Sequence, residues 1–374
     1  MSELTLPGSP WSFLTNFSAF GLAAILEDEL GTTARVWHRT LDAITVSLDD
    51  ATITPEEMAA AVHRHASQRL ESWVTLTHDH KGSKSGTMSP RLKPAGDADT
   101  WRTLQAARWV AFDGTGAPRR GWLDAMFMGA LGEPAYWYVN NKGENEPDRG
   151  ASGWEMKTRN RGEEFVQNRL ALLCAAVAQR TVQQVLDGLT GRSPKDEVGS
   201  DSPSSRTPTG LSAPAPTDNA VAWCALWGIS LFPVVHNATT GVGTSKGGGR
   251  QSMTAGVIRG LPQAERLVRA VTYLPLFKAP TRLARVRTIT VSGALARVAA
   301  RESLRASSAT WTPKERERWE QVMLSLTLPS DDDQLRRRGC TAVLVGQIKV
   351  TDNINAPEPH VVEGRPVILA EEWS

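Results

Sequence analysis

The chain has 374 residues, 40% of them hydrophobic, with 42 Lys+Arg against 40 Asp+Glu for a formal net charge of +2; that length exceeds what one hydrophobic core usually sustains and predicts two domains. Its longest apolar stretch, residues 220–235, contains Pro233 and is shorter than the roughly 20 residues of a membrane-spanning helix, and the start "MSELTLPGSPWSF" has no basic segment leading into an apolar one, so neither a membrane span nor an export signal is expected. Cys174, Cys224 and Cys340 are few and far apart, which suits reduced thiols in a cytoplasmic protein rather than a disulfide framework.

In chain order, "FLTNFSAFGLAAILEDELG" (13–31) predicts an amphipathic helix with Leu22, Ile25 and Leu26 on one stripe and Gly31 as its stop. "ARVWH" (34–38) and "AITVSL" (43–48) read as strands. Thr54-Pro55-Glu56-Glu57 is a capping box with proline at the first helical position, and the helix should run to about Leu70. "SWVTLTH" (72–78) reads as a further strand, followed by a polar Gly/Ser/Pro/Lys loop over 80–99. Apolar residues at helical spacing from Gly162 to Leu189 predict one long helix. Residues 190–219 are rich in Ser, Pro, Thr and Asp and poor in apolar residues, so they are expected to form a disordered linker. The predicted organisation is therefore an α+β chain in two parts, an N-terminal α+β domain over 1–189 and a basic C-terminal α+β domain over 220–374. In the second part "RVRTITVS" (285–292) reads as a strand, Thr312-Pro313-Lys314-Glu315 as a second capping box, and "CTAVLVGQIKV" (340–350) and "HVVEGRPVILAEE" (360–372) as strands.

Charge is not spread evenly. Residues 220–338 carry 18 Lys+Arg against 8 Asp+Glu, a local +10 on an otherwise slightly acidic chain, and 32 of the 42 basic residues are Arg. Clustered guanidinium groups suit phosphate oxygens and point to a polyanion such as nucleic acid. The glycine-rich stretch "GVGTSKGGGR" (241–250) fits neither G-x-x-x-x-G-K-[ST] nor G-x-G-x-x-G, so a nucleotide cofactor is not expected. Its glycines would let a backbone approach a phosphodiester, with Lys246 and Arg250 supplying charge; a hairpin tip is the plainer alternative. Lys157, Arg159 and Arg161 recur every second residue and would share one side of an extended chain, beside Asn160 and Trp154, either as a backbone clamp or as a solvated loop. Lys81 and Lys84 offer the same duty on the 80–99 loop. His78 and His80 could share a strand face as a metal pair, but no third ligand is evident, and no serine-nucleophile elbow is present. No catalytic residue, metal or cofactor is expected.

Three segments, "FLTNFSAFGLAAILED", "GASGWEMKTRNRGEEFVQNRL" and "AWCALWGISLFPV", resemble the variable large-subunit and auxiliary proteins of CRISPR type I effector complexes, the Cascade particles, in particular the type I-U (I-G) group. The resemblance implies a subunit that joins guide RNA and other Cascade subunits, helps recognise the protospacer-adjacent motif on target DNA, steadies the opened strands and recruits a helicase-nuclease. It implies no catalysis by this chain. Where guide pairing reads sequence, such a protein supplies backbone electrostatics and motif reading, both of which use Lys, Arg and Asn. A metal-dependent nuclease and a protein-only adaptor using Trp anchors stay open as alternatives.

Overall fold

The computed structural model describes residues 2–80, 83–89, 98–114, 122–132, 137–139, 145–147, 152–154, 165–203, 205, 209–235, 253–326, 330–352, 358–370 and 373. Strand β1 (Ser2–Pro7) leads into helix α1 (Phe13–Leu30), strands β2 (Ala34–Trp37) and β3 (Ala43–Leu48), and helix α2 (Pro55–Gln68). Then come the hairpin β4 (Thr77–His80) and β5 (Ser83–Gly86), helices α3 (Ala98–Asp113) and α4 (Trp122–Leu131), and the short pair β6 (Trp137–Val139) and β7 (Asn145–Pro147). Helices α5 (Ala171–Ala178), α6 (Val182–Leu189) and α7 (Asn219–Gly228) precede strands β8 (Val234–Val235), β9 (Met253–Thr254), β10 (Val257–Ile258), β11 (Val268–Leu276) and β12 (Thr281–Arg282). Helices α8 (Leu283–Thr290), α9 (Gly293–Ser307), α10 (Pro313–Leu326) and α11 (Ser330–Arg337) and strands β13 (Ala342–Val350), β14 (Pro359–Val361) and β15 (Arg365–Ile368) complete an α+β fold.

Two antiparallel sheets frame the helices. One has the order β1-β3-β2-β12; in the other, β10-β11-β13-β14, strand β13 also pairs with β15. Both expected capping boxes form: Thr54 accepts from the Glu57 amide while Glu57 accepts from the Thr54 amide at 2.7 Å, and Thr312 and Glu315 do the same at the start of α10.

The predicted two-part division is not what the described residues adopt. β12 comes from the expected C-terminal part, yet it completes the sheet of β1–β3, with Arg282 opposite Arg35 and Thr281 opposite Val36. α1 lies against α7, and Ser18 Oγ donates to the Val221 carbonyl at 3.2 Å. A single apolar cluster runs from Leu4 through Phe17 and Trp227 to Val345. Phe17 stacks on Phe232 with centroids 4.7 Å apart, and Trp154 closes on both rings. Trp154, expected as an exposed stacking group, is buried, with its Nε1 donating to the Ala255 carbonyl at 2.8 Å.

The expected linker is also ordered wherever it is described. Buried Asp196 accepts from the Gly199 amide, Ser205 Oγ and Asn219 Nδ2, at 2.8, 2.8 and 3.0 Å. Asp218 accepts from the Lys195 and Ala220 amides at 2.9 and 2.8 Å and pairs with the buried guanidinium of Arg180. Polar side chains thus order this segment by satisfying its own backbone, a route that apolar content does not register.

Three local readings change for similar reasons. The helix expected over 162–189 opens with a π-helical turn at Val166–Leu170 and breaks after Ala178, where Thr181 and Gln184 form a new capping box for α6. Residues 285–292 are largely α8 rather than a strand, because Leu283, Val286, Ile289 and Thr290 recur at helical spacing and are all buried. Of 72–78, only Thr77 and His78 lie in a strand.

Candidate nucleic-acid interface

The residues singled out from sequence fall mostly beyond what is described. Lys157, Arg159, Asn160, Arg161, Lys246, Arg250 and Lys81 all lie outside the described residues. Lys84 is exposed on β5, opposite Asp79 in the hairpin register. The strands flanking the glycine-rich stretch, β8 and β9, pair antiparallel, Val234 with Thr254 and Val235 with Met253, so that stretch links two neighbouring strands.

What the fold does assemble is a band of cations from residues distant in sequence. It starts where β12 pairs with β2: Arg282 and Arg35 are cross-strand neighbours, and Asp49 at the end of β3 binds Arg35 and stands 3.6 Å from Arg282. One turn into α8, Arg285 is exposed, and its Nη1 reaches the open side of Gly339. α8 sits there because its opposite face is apolar and buried; Arg287, half-buried, faces Glu27 instead, and burial holds its pKa below the usual arginine value.

Gly339 closes α11. Its φ of +82° is the left-handed conformation that favours glycine, and the Gly339 and Cys340 amides return to the carbonyls of Arg336 and Leu335 at 2.8 and 3.0 Å. This turn brings Arg336 to the band, and Arg338 immediately precedes the Gly339 that Arg285 approaches. Beside it is a cleft of about 400 Å³ lined by Lys278, Arg336, Gly339, Cys340 and Thr341. Lys278 Nζ lies 4.5 Å over the Trp373 ring, while Arg336 donates to the Leu369 carbonyl at 3.0 Å and pairs with Asp333. Among the described residues, no carboxylate lies within ion-pairing distance of Arg285 or Arg338. In contrast, Arg297 and Arg301 on α9 are taken up by Asp331 and Asp332 of α11, so part of the local +10 charge is neutralised internally.

The sequence carries a signal for this band that depends on which element holds it. Arg282 and Arg285 are three apart, which puts them on one side of a helix only if 283–290 is helical. The run Arg336-Arg337-Arg338 followed by glycine is a helix C-terminus, where cations also meet the dipole favourably.

Groups that could do chemistry are mostly withdrawn from solvent. Burial pushes the Cys174 and Cys340 thiols up to about 12 and raises that of Cys224 as well, which keeps all three protonated and poor nucleophiles. Among the described residues, no three His, Cys, Asp or Glu side chains converge as metal ligands. His65 is sealed between Trp223 and Trp227, and its Nδ1 accepts from Trp223 Nε1 at 3.2 Å. His38 Nε2 meets Asn16 Oδ1 at 2.9 Å inside the core. Burial lowers both, His38 to about 4 and His65 well below its ordinary range.

These two histidines make the fold sensitive to acid. An unfolded histidine protonates near 6.5, whereas His38 in the fold resists until about pH 4, so its contribution is complete above 6.5 and is lost as the pH falls towards 4, amounting to about 3 kcal/mol. In urea unfolding from pH 8 to 4, His38→Gln should lack that share of the decline. Parallel profiles for the two proteins would mean that His38 titrates as an exposed group.

No family model matches the chain, and no curated protein matches it either. No helix among the described residues is long and apolar enough to cross a membrane.

Proposed function

We propose that this protein is a non-catalytic subunit of a guide-RNA surveillance complex that holds nucleic-acid backbone along the Arg35–Arg282–Arg285–Arg338–Lys278 band. The observation that supports this reading is the convergence of Arg35 on β2, Arg282 on β12, Arg285 on α8, Lys278 just before β12 and the turn that follows Arg338, with Asp49 paired to Arg35 and near Arg282 and Asp333 paired to the neighbouring Arg336. Guanidinium groups carried on rigid elements can hold phosphates without reading bases, which is what a protein needs when sequence is read by guide pairing. Motif recognition, strand stabilisation and helicase-nuclease recruitment follow from the resemblance of the three segments and form part of the same proposal.

The test is a salt titration of duplex DNA, single-stranded DNA and guide RNA binding. The triple variant Arg282→Gln, Arg285→Gln and Arg338→Gln should bind all sequences more weakly and flatten the log–log salt slope by about one unit per lost phosphate contact, roughly three in total. Parental affinity and slope in the variant would overturn the band as the contact surface.

A protein-only adaptor is the second reading, favoured by one observation: Trp109, Val110 and Trp122 are 65%, 74% and 66% exposed. Copurification with coexpressed partner subunits that survives nuclease treatment and high salt, with no nucleic-acid binding by the chain, would select it.

A further inference from the structure

The C-terminal end of α1 carries Asp28 and Glu29, whose side chains are each only 7% exposed. Both face Arg69, in the turn that follows α2, and Arg69 also faces Asp124 in the first turn of α4. Arg69 commits its fork to Asp124, Nε to Oδ1 at 3.2 Å and Nη2 to Oδ2 at 2.6 Å, and gives Nη1 to the His65 carbonyl at 3.0 Å. Trp73 Nε1 donates to Asp124 at 2.6 Å. Asp28 and Glu29 are left at 3.6 and 3.7 Å from the same guanidinium. Arg64 of α2, on the outside, takes Glu29 at 2.8 Å.

Three buried carboxylates therefore share one buried guanidinium and one outer one, and Asp28 is the carboxylate without a close cation of its own. The Arg69 guanidinium also lies over the Trp227 ring, 4.9 Å from its centroid, and the titratable groups beside it are His65 and Cys174, both held neutral. Asp28 also accepts the amide of Leu123, which ties the end of α1 to the start of α4.

We propose that Asp28 is a proton-controlled latch between α1 and α4: ionised, it is a buried charge whose nearest guanidinium is committed to Asp124, with Asp124 across the junction and Glu29 beside it on α1 adding repulsion, and on taking a proton it sheds the cost of burying that charge while keeping a weaker contact with the Leu123 amide. The direction agrees with its titration, since burial pushes the Asp28 carboxyl from 3.8 up to about 6, Arg69 opposes this, and Asp124 and Glu29 add to it. A folded value above the unfolded one means that the fold binds the proton more tightly. Asp28 therefore weakens the protein above about pH 6, and that cost fades as the pH falls towards 3.8. This is opposite in sign to the histidine effect, so the two are separated by difference.

Thermal unfolding of wild type and Asp28→Asn, which is isosteric with the protonated acid, makes the comparison. Asp28→Asn should unfold roughly 3 °C higher at pH 8, and the gap should shrink to about half by pH 5 and close near pH 3.8. A gap that stays constant with pH, or an Asn variant less stable at pH 8, would overturn the latch. Hydrogen exchange on the wild-type protein supplies an independent readout if the variant does not fold: protection of residues 122–131, corrected for intrinsic rates, should rise several-fold from pH 7.5 to 5.5. Unchanged or falling protection there would also overturn it.

Discussion

Gly21→Ala should leave little folded protein, because a single methyl group at that position has nowhere to go. A Cβ on Gly21 would overlap the carbonyl oxygen of Cys224 and stand 2.6 Å from the Gly228 amide nitrogen, and a Cβ on Gly228 would overlap the Phe17 carbonyl in the reverse direction. The obstacles are helix backbone on both sides, so no rotamer change relieves them; α1 and α7 have to move apart. That separation disturbs the stacked Phe17 and Phe232 and the ring of Trp154 that packs against both. Overpacking into backbone at the centre of a core is expected to cost more than about 3 kcal/mol, enough to remove much of an ordinary margin of stability. Gly129→Ala is the control: Gly129 is exposed in α4 with open space around it, and alanine there should stabilise by about 0.5–1 kcal/mol through helix propensity alone. Chemical unfolding of both variants decides the matter, and a Gly21→Ala protein as stable as wild type would mean that the two helices do not meet at these glycines.

Asp218→Ala is the second large effect. Asp218 caps α7 through the Ala220 and Val221 amides, receives the Lys195 amide, and faces Arg180 at 3.0 Å with both side chains at most 5% exposed. Burial raises its pKa, and Arg180 and the three amides resist that rise. Removing the carboxylate leaves three backbone donors without it, and among the described residues leaves Arg180 with Glu197 alone as a charged partner. Breaking a buried pair from one side costs about 3–5 kcal/mol. Asp218→Asn should cost less, because an amide oxygen still caps the helix. If the alanine variant loses under about 1 kcal/mol in denaturant unfolding, residues 195–218 behave as the dispensable tether that their composition suggests.

Both expectations turn on what could be seen from sequence. Capping boxes at Thr54 and Thr312, the strands at 34–38 and 43–48, the helix beginning at Phe13 and the α+β class were legible, because each rests on residues within a few positions of one another. The concentration of arginine in 220–338 was legible too, as a count. The tertiary structure decided which of those arginines stay available: Arg297 and Arg301 are consumed by Asp331 and Asp332, while Arg282 meets Arg35 across about two thirds of the chain's length. It also decided that the described part of 190–219 is ordered, since Asp218 and Arg180 are 38 residues apart and no local pattern pairs them. Residues 285–292 read as a strand because "RVRTITVS" alternates as a strand does, and only burial of Leu283, Val286 and Ile289 selects the helical period. Local patterns set the elements; contacts such as Ser18 with Val221, 203 residues apart, set their arrangement, and those depend on which surfaces fit rather than on any spacing in the sequence.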